Sequence, residues 1–462
     1  MPNIPKLSNI NYLAGLPAEI TIVRIIPHAH CTELVISFPP PAQRICPKCH
    51  GSYCVIKDSG RMQTVRHTAI GKTGTLLTFH RRRYLCKECG ATYYEPVYWL
   101  HPSISITQGL YGDILTDLNT PVSIRRIALN NCVTESIVIS VMESIPLDKP
   151  SGLPQTLCID EFCGESGSYD RQSKRWQTEK YHCILANGDS GSVHDILPRM
   201  DKASLKKYFM EYPVHVRQQV KYVCCDMHGP YISLAKECFP SVTVCLDPFH
   251  VVRRVTQGLT ETRIRIQQDL LHDSREHDYK MLKNASRILT TAIRNQETYW
   301  EGHMKHNQER LRTVLSFSED LETAYDALQE FYLILEEKEY LLQRTSLAEW
   351  IRKYTASKVP EVVSAANTIR HYRSYIQNSL KYGKSNSVAE GRNRAIKEIK
   401  RNSYGQHSFE NFRKRILLAF GPLKFDNGTY TIPRKKDSGE NTHKKTKNSR
   451  PRTAKKEDDI CR

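Results

Sequence analysis

Residues 221–250 read KYVCCDMHGPYISLAKECFPSVTVCLDPFH, and this stretch decides the fold. Residues 220–225 are a β-branched and aromatic run, the pattern of a buried strand, and the run stops at Asp226. His228, Gly229 and Pro230 break it. Ile232, Leu234, Ala235 and Phe239 then recur at helical spacing until Pro240. Residues 241–246 are a second strand-like run ending at Asp247. Strand, helix and strand in so short a span predict a βαβ unit with parallel neighbouring strands. Ligands of open α/β sheets gather at the carboxyl ends of strands, where Asp226 and Asp247 fall. An isolated strand-end aspartate is usually solvated, so the reading depends on what the rest of the chain supplies.

Outward from this unit, residues 156–162 predict another strand carrying Asp160, with Glu161 on its opposite face. Residues 180–186 and 192–197 predict two more, joined by the hairpin turn Asn187-Gly188-Asp189. With a helix at 205–212 the order is β-β-β-α-β-α-β. Glu165, Asp170 and Asp189 lie in or near turns and are expected to be solvated. Asp247 is expected to cap the helix that follows it. From residue 251 to 384 the pattern becomes charged helices, among them 263–271, 320–340 and 359–380, too long for a loop and read as a helical insertion. Past it, spacing of three and four puts Asn386, Glu390, Asn393, Arg394 and Lys397 on one helical face. One carboxylate among amides and cations is an unusual face for solvent. A last amphipathic helix spans 408–420, and the chain from 434 onward reads as a disordered basic tail.

Towards the N-terminus, Cys46-Pro-Lys-Cys49 and Cys86-Lys-Glu-Cys89 are two CxxC knuckles, a spacing that lets four thiolates meet one tetrahedral ion. Strand-like residues 64–67 and 75–84 between them predict the hairpin of a zinc ribbon. Gly90 follows the second knuckle, where positive φ is needed. His50 and Cys54 are spare candidates. Arg81-Arg82-Arg83 is read as a solvated strand face or a phosphate contact. Residues 123–128 and 133–143, with a turn at 130–132, fit a helix-turn-helix. Arg125 and Arg126 on its first helix are candidate DNA contacts.

The composition agrees with a nucleic-acid partner. Lys and Arg number 67 against 49 Asp and Glu, a formal charge of +18 in 462 residues. No basic amphipathic helix or apolar run points to a membrane, and the N-terminal residues lack the layout of a secretory leader. Fifteen cysteines, an odd count, several of them inside strand-like runs, suggest reduced thiols in an intracellular protein.

The text LCIDEF…CCDMHGPYISLAKECFPSVTVCLDPFHVV…NSVAEGRNRAIKEIKR resembles the DDE transposases of the ISL-three insertion-sequence family, from the ribbon through Phe420. The resemblance implies an α/β, ribonuclease-H-like catalytic domain with a helical insertion, preceded by a zinc ribbon and a helix-turn-helix. The corresponding parts are residues 1–100 (ribbon), 101–150 (helix-turn-helix), 151–250 and 385–425 (catalytic), 251–384 (insertion) and 426–462 (tail). It implies Asp160, Asp226 and Glu390 as catalytic acids holding two Mg²⁺ or Mn²⁺, and Cys46, Cys49, Cys86 and Cys89 holding one structural zinc. Asp247 and His250 match a D-x-x-H pattern of related families and would support the site. Arg394, Lys397 and Arg401 would contact phosphates. The expected substrate is double-stranded DNA, both element ends and target, bound by a homodimer or larger assembly on the nucleoid of a bacterial cytoplasm. A non-catalytic DNA-binding regulator and a structure-selective nuclease of the same fold are the rival readings.

Overall fold

The computed structural model describes residues 14–146, 148–165, 168–170, 175–177, 180–296, 303–402, 408–422, 424–426 and 429–431. The basic tail and the very N-terminus lie outside them.

The first sheet holds β1 (Thr21–Pro27), β2 (Cys31–Ser37), β3 (Cys54–Ile70), β4 (Thr73–Cys86) and β5 (Thr92–Tyr94), in the order β1-β2-β4-β3 with β5 on β4. β3 and β4 form the long antiparallel hairpin expected between the knuckles. β1 and β2 were not foreseen, because β1 is an edge strand that leaves Val23 and Ile25 exposed and shows no inward apolar alternation. The arginine triplet is neither solvated nor free. Arg82 pairs with the buried Glu95 at 3.0 Å and donates to the Phe38 carbonyl, Arg81 donates to the Glu95 carbonyl, and Arg83 pairs with Asp58.

A small helical unit follows: α1 (Gln108–Leu118), α2 (Ile124–Asn130) and α3 (Glu135–Ser144). Ile124, Ile127, Ala128, Val138 and Val141 pack against Leu110, Ile114 and Leu118 of α1. Cys132, at φ +51°, makes the turn between α2 and α3. Thr134 stands at the N-cap of α3, but its hydroxyl pairs with Ser136 and makes no cap bond. The unit is tied to the first sheet by buried His67. Its Nε2 lies 2.6 Å from the Ala14 carbonyl and its Nδ1 2.9 Å from the Thr107 hydroxyl. A carbonyl only accepts, so the proton sits on Nε2 and the hydroxyl donates to Nδ1. Burial, which lowers the pKa of this imidazole, favours that neutral form.

The second sheet contains β6 (Thr156–Glu165), β9 (Lys180–Asn187), β10 (Val193–Leu197), β11 (Tyr222–Cys225) and β12 (Thr243–Leu246), in the order β10-β9-β6-β11-β12. A small hairpin, β7 (Ser168–Asp170) with β8 (Arg175–Gln177), interrupts the foreseen strand order. β6, β11 and β12 are parallel and β9 runs against both its neighbours. The βαβ unit is present: α6 (Gly229–Cys238) joins β11 to β12. α4 (Lys202–Met210) and the single turn α5 (Val214–Arg217) precede it. Both sheet faces are covered, which is why the strands read as unbroken apolar runs. Ile159, Leu185, Val223 and Leu246 face α6 and the helices that follow, while Cys158, Ile184, Cys224 and Cys245 face the last helices. Cys158, Cys183, Cys224, Cys225 and Cys245 are buried free thiols, as expected.

α7 (Pro248–His272) leaves β12 directly and opens the helical region, which continues with α8 (Glu276–Lys283), α9 (Ser286–Thr290), α10 (Met304–Leu315), α11 (Glu319–Glu336), α12 (Tyr340–Thr355), α13 (Pro360–His371) and α14 (Arg373–Tyr382). The helix expected over 320–340 stops at Glu337, whose carboxylate accepts the N–H groups of Lys338 and Glu339. That expected over 359–380 breaks at Tyr372. The apolar core of this region is continuous with the sheet face under α6. α14 returns to the sheet, where Asn378 and Ser379 donate to the carbonyls of Val244 and Leu246. α15 (Ser387–Asn402) and α16 (Phe409–Phe420) close the other face, and β13 (Lys424–Asp426) pairs with β14 (Thr429–Thr431). Among the described residues no helix is long and apolar enough to cross a membrane.

Candidate metal centres

The two knuckles are built alike. Cys46 N–H donates to Gly51 O, and Cys86 N–H to Ala91 O, both at 2.9 Å. His50 N–H returns to Cys46 O and Gly90 N–H to Cys86 O. Gly90 has φ +72°, as expected, and His50 takes the same left-handed conformation at +59°. These turns bring the Sγ atoms of Cys46, Cys49, Cys86 and Cys89 within 4.8 Å of one another. The thiols share their protons unevenly: the backbone N–H of Cys89, ahead of other donors, pulls Cys86 down to about 6, while Cys49, against the pull of the Gly51 N–H, is pushed up to about 12 by the neighbouring thiols. Four thiolates converging from paired knuckles fit tetrahedral zinc. Cys54 sits opposite Cys86 in the hairpin but is outside the group, as is His50.

The second centre forms where the parallel strands end. Asp226 follows β11 and Asp247 follows β12. Asp160 lies inside β6 rather than at its end, just beyond the point where β6 parts from β11 after Cys158. Glu390 comes from the first turn of α15, where the positive end of the helix dipole favours a carboxylate. Two asparagines fix that helix on the strands. Asn386 donates through Nδ2 to the Ile159 carbonyl and through its N–H to Asp247 Oδ1. Asn393 donates through Nδ2 to Asp160 Oδ2 at 2.6 Å, and the other Asp160 oxygen accepts the Glu161 N–H. His250, in the first turn of α7, places Nε2 3.1 Å from Asp226 and 3.6 Å from Glu390. One atom each of Asp247, His250 and Glu390 lies within 4.8 Å of the others.

Burial raises the pKa of Asp160, Asp226, Asp247 and Glu390 alike. Asp226 is pushed up to about 7, by burial first and then by the charges of Asp160, Asp247, Glu161 and Glu390. Three buried oxygens of this neighbourhood have no hydrogen-bond donor among the described residues, Asp247 Oδ2, Asn386 Oδ1 and Asn393 Oδ1, and Asp226 Oδ1 meets only the His250 imidazole, off the line of a good hydrogen bond. Acceptors gathered without donors are complementary to a cation, and hard oxygen ligands suit Mg²⁺ or Mn²⁺.

Asp247 meets the capping expectation only in part. It occupies the N-cap position of α7 without a well-formed cap hydrogen bond, although the N–H groups of Phe249 and His250 lie close enough to favour its charged form. Its carboxylate is turned towards the start of α15, and the amide of Asn386 takes one oxygen. Glu161 does face the other side of β6, where Tyr231 OH approaches it at 3.4 Å. Asp189 is not merely solvated: it accepts from Thr156 and from Lys384, a bond that holds the approach to α15. The side chains of Glu165 and Asp170 lie outside the described residues. On α15, Arg394 and Lys397 are exposed and Arg401 pairs with Glu398. Arg392 and Lys400 instead anchor the helix, to Gly191 O and Cys163 O. Arg125 and Arg126 are exposed on α2.

Comparison with known proteins matches residues 157–416 to a family described as transposase, of the DDE, ISL-three type. Residues 42–89 match the zinc-finger of transposase IS204/IS1001/IS1096/IS1165. The transposase for insertion sequence element IS1001 of Bordetella parapertussis is 22% identical over 391 residues, 84% of this chain and 91% of that one. The transposase for IS1557 of Mycobacterium tuberculosis is 24% identical over 269 residues, 55% and 59% of the two chains. A Lactococcus lactis protein named ATP-dependent protease is 29% identical over 134 residues, 28% and 41%, but this chain has no G-x-x-x-x-G-K-[ST] phosphate loop. The transposase match covers more than half of the chain and all four clustered carboxylates, and the zinc-finger match covers the four cysteines. The chain belongs to the DDE transposases of the ISL-three insertion-sequence family.

Proposed function

We propose that this transposase binds the ends of its own insertion sequence, cuts them, and joins the freed 3′-hydroxyl to target DNA. The observation that carries the reading is that Asp226, Asp247 and Glu390 gather about His250 from separate elements, with Asp160 close enough for its charge to raise the pKa of Asp226 and Glu390. Carboxylates that repel one another in a buried cleft must take up protons or cations, and near neutral pH cations relieve the repulsion while leaving every oxygen free to act as a ligand. The sheet order, antiparallel strands followed by parallel ones, with acids on its first and fourth strands and a glutamate on a late helix, supports a ribonuclease-H-like catalytic domain spanning 151–250 and 385–425 around the insertion 251–384.

In this reading Asp160, Asp226 and Glu390 would hold two Mg²⁺ or Mn²⁺ ions. Such ions, when bound, lower the pKa of the attacking water or hydroxyl and offset charge on the leaving oxygen. Asn393 keeps Asp160 in one orientation. Asn386 sets the register of α15, so that Glu390 reaches the strand ends. Asp247 adds a further carboxylate beside Glu390. Arg394, Lys397 and Arg401 supply positive charge along the approach for the phosphate backbone. The ribbon (residues 1–100) and α2–α3 within 101–150, with Arg125 and Arg126, grip the element end, and two or more copies synapse the ends on the bacterial nucleoid.

The test is a gel assay on labelled element ends. Asp160→Asn, Asp226→Asn and Glu390→Gln should each lower cleavage and strand transfer by about a hundredfold or more, with end binding retained. Glu161→Gln should be mild. Full cleavage by Glu390→Gln would defeat the mechanism. Cleavage without joining would favour the nuclease reading, and binding without cleavage by the wild type the regulator.

A further inference from the structure

Phe249 stands in sequence between Asp247 and His250, two members of the candidate metal-binding group, and is 58% exposed. It is the one exposed phenylalanine among the described residues. Its ring meets the imidazole of His250, the residue that approaches Asp226 and Glu390, edge-on, centroids 5.5 Å apart and planes at 82°, and is otherwise open to solvent. Its own helix does not need it there. α7 buries Val251, Val255 and Leu259, and Phe249 lies outside that apolar stripe. One helical turn on, at the i+4 position that shares its face, Arg253 is also exposed. The other arginines of α7 are engaged: Arg254 with Ser364, Arg263 with Gln267, Arg265 with Asp320 and Glu361. Arg253 forms no hydrogen bond or ion pair with the described residues.

A bare aromatic ring one helical turn from an unengaged guanidinium, at the rim of the proposed phosphoryl-transfer centre, is matched to one kind of ligand: a nucleotide with its base unstacked and its phosphate close by. Bases stack on aromatic rings whatever their identity, and arginine pairs with the backbone. A base inside an intact duplex has no free face, so the base must leave the helix to reach the ring. The geometry points to Phe249 as a stacking platform for an extrahelical nucleobase flanking the scissile phosphate, with Arg253 holding the adjoining phosphate. This rests on the DNA-cleavage reading above for its substrate.

The experiment uses the full-length protein and duplexes of its own element end carrying 5-iodouracil at single positions, irradiated without divalent metal and mapped by mass spectrometry. A crosslink to Phe249 from the base next to the scissile phosphate, absent when the label sits a helical turn away, is the expected result. In parallel, at saturating protein with Mg²⁺, Phe249→Ala should cut intact duplex about tenfold to a hundredfold more slowly, the range expected for one lost base stack. Phe249→Trp should restore the rate, and an abasic site that removes the base to be extruded should narrow the gap between wild type and Phe249→Ala. Crosslinks only at other residues, a Phe249→Ala rate equal to wild type, or equal rescue by Phe249→Leu would overturn the proposal. Crosslinking at Phe249 by a wild type that does not cut would uphold the platform and overturn the cleavage reading instead. Cutting without that crosslink would do the reverse.

Discussion

Replacing Asp226 by asparagine should stabilise the cation-free protein while abolishing its cleavage, effects of opposite sign from one atom exchange. The carboxyl of Asp226 sits at about 7 against an ordinary 3.8, first from burial and then from the charges of Asp160, Asp247, Glu161 and Glu390. Each pKa unit corresponds to about 1.4 kcal/mol, so ionised Asp226 costs the folded, cation-free chain up to ~4 kcal/mol. Neighbouring protons and water relax part of this, which makes the figure an upper bound. The sign follows from proton counting. Between about pH 4 and 7 the folded chain holds a proton that the unfolded chain has lost, so stability falls as pH rises through that window. Below it the site contributes nothing, and above it the full penalty applies. Asparagine never ionises, so the variant escapes the penalty. In a chelator, thermal melting of the wild type should drop by several degrees from about pH 5 to pH 8, at roughly 2–4 °C per kcal/mol for a domain of this size. The variant should melt higher at pH 8 and converge with the wild type at the acid end. Added Mg²⁺ should raise the wild-type midpoint and leave the variant's nearly unchanged. A wild-type midpoint indifferent to pH, or a variant that melts lower at pH 8, would refute the idea that these acids strain the fold in the absence of a cation.

Protein purified without added metal should carry about one zinc per chain, and Cys86→Ser should lose it, by elemental analysis. Asp247→Asn separates two roles. A capping residue would cost about 1 kcal/mol of stability with cleavage intact, whereas a cation ligand would lose cleavage without loss of stability. Arg415→Met removes a buried guanidinium that donates to the carbonyls of Leu118, Thr120 and Val122. It should destabilise the chain by about 3 kcal/mol in urea melts, and Arg415→Lys, whose single ammonium cannot span the three, should rescue little.

Much of the second sheet was legible because its signals are local: apolar runs long enough for a strand, Gly and Pro breaks, and an acid where a run stops. The cysteine knuckles carry their own geometry in the CxxC spacing. What escaped depends on partners far away in the chain. Arg81 to Arg83 look like a free basic stripe until Glu95, Phe38 and Asp58 are placed beside them. Asp189 looks solvated until Lys384 arrives from the far end of the helical region. Asp247 precedes Pro248 and so reads as a cap, and only the approach of Asn386 turns its carboxylate into the cleft. Asn386 and Asn393 were visible as a helical face, but their work of gripping Ile159 O and Asp160 required the fold.

The last helix joins the α1–α3 unit to the sheet that carries the carboxylates. α16 packs Phe412, Ile416 and Ala419 under the second sheet and sends Leu418 into the core of the α1–α3 unit. Arg413 pairs with buried Asp195 of β10 at 2.7 Å. Arg415 meets the carbonyl end of α1, and Lys414 and Asn411 meet Glu143 near the end of α3. Cations at helix C-termini are favoured by the dipole and satisfy carbonyls that lack an intrahelical partner. The α1–α3 unit is held in turn to the first sheet by His67 and by Thr68 with Asp113. Ribbon, helical unit and carboxylate cleft are therefore connected in series through buried, directional bonds rather than through loops. If DNA lies on α2 and α3, its distance from Asp160 and Asp226 is set by α16. Displacing either end of that helix would have to break the Arg415 or Arg413 contacts before the DNA could shift register at the cleft.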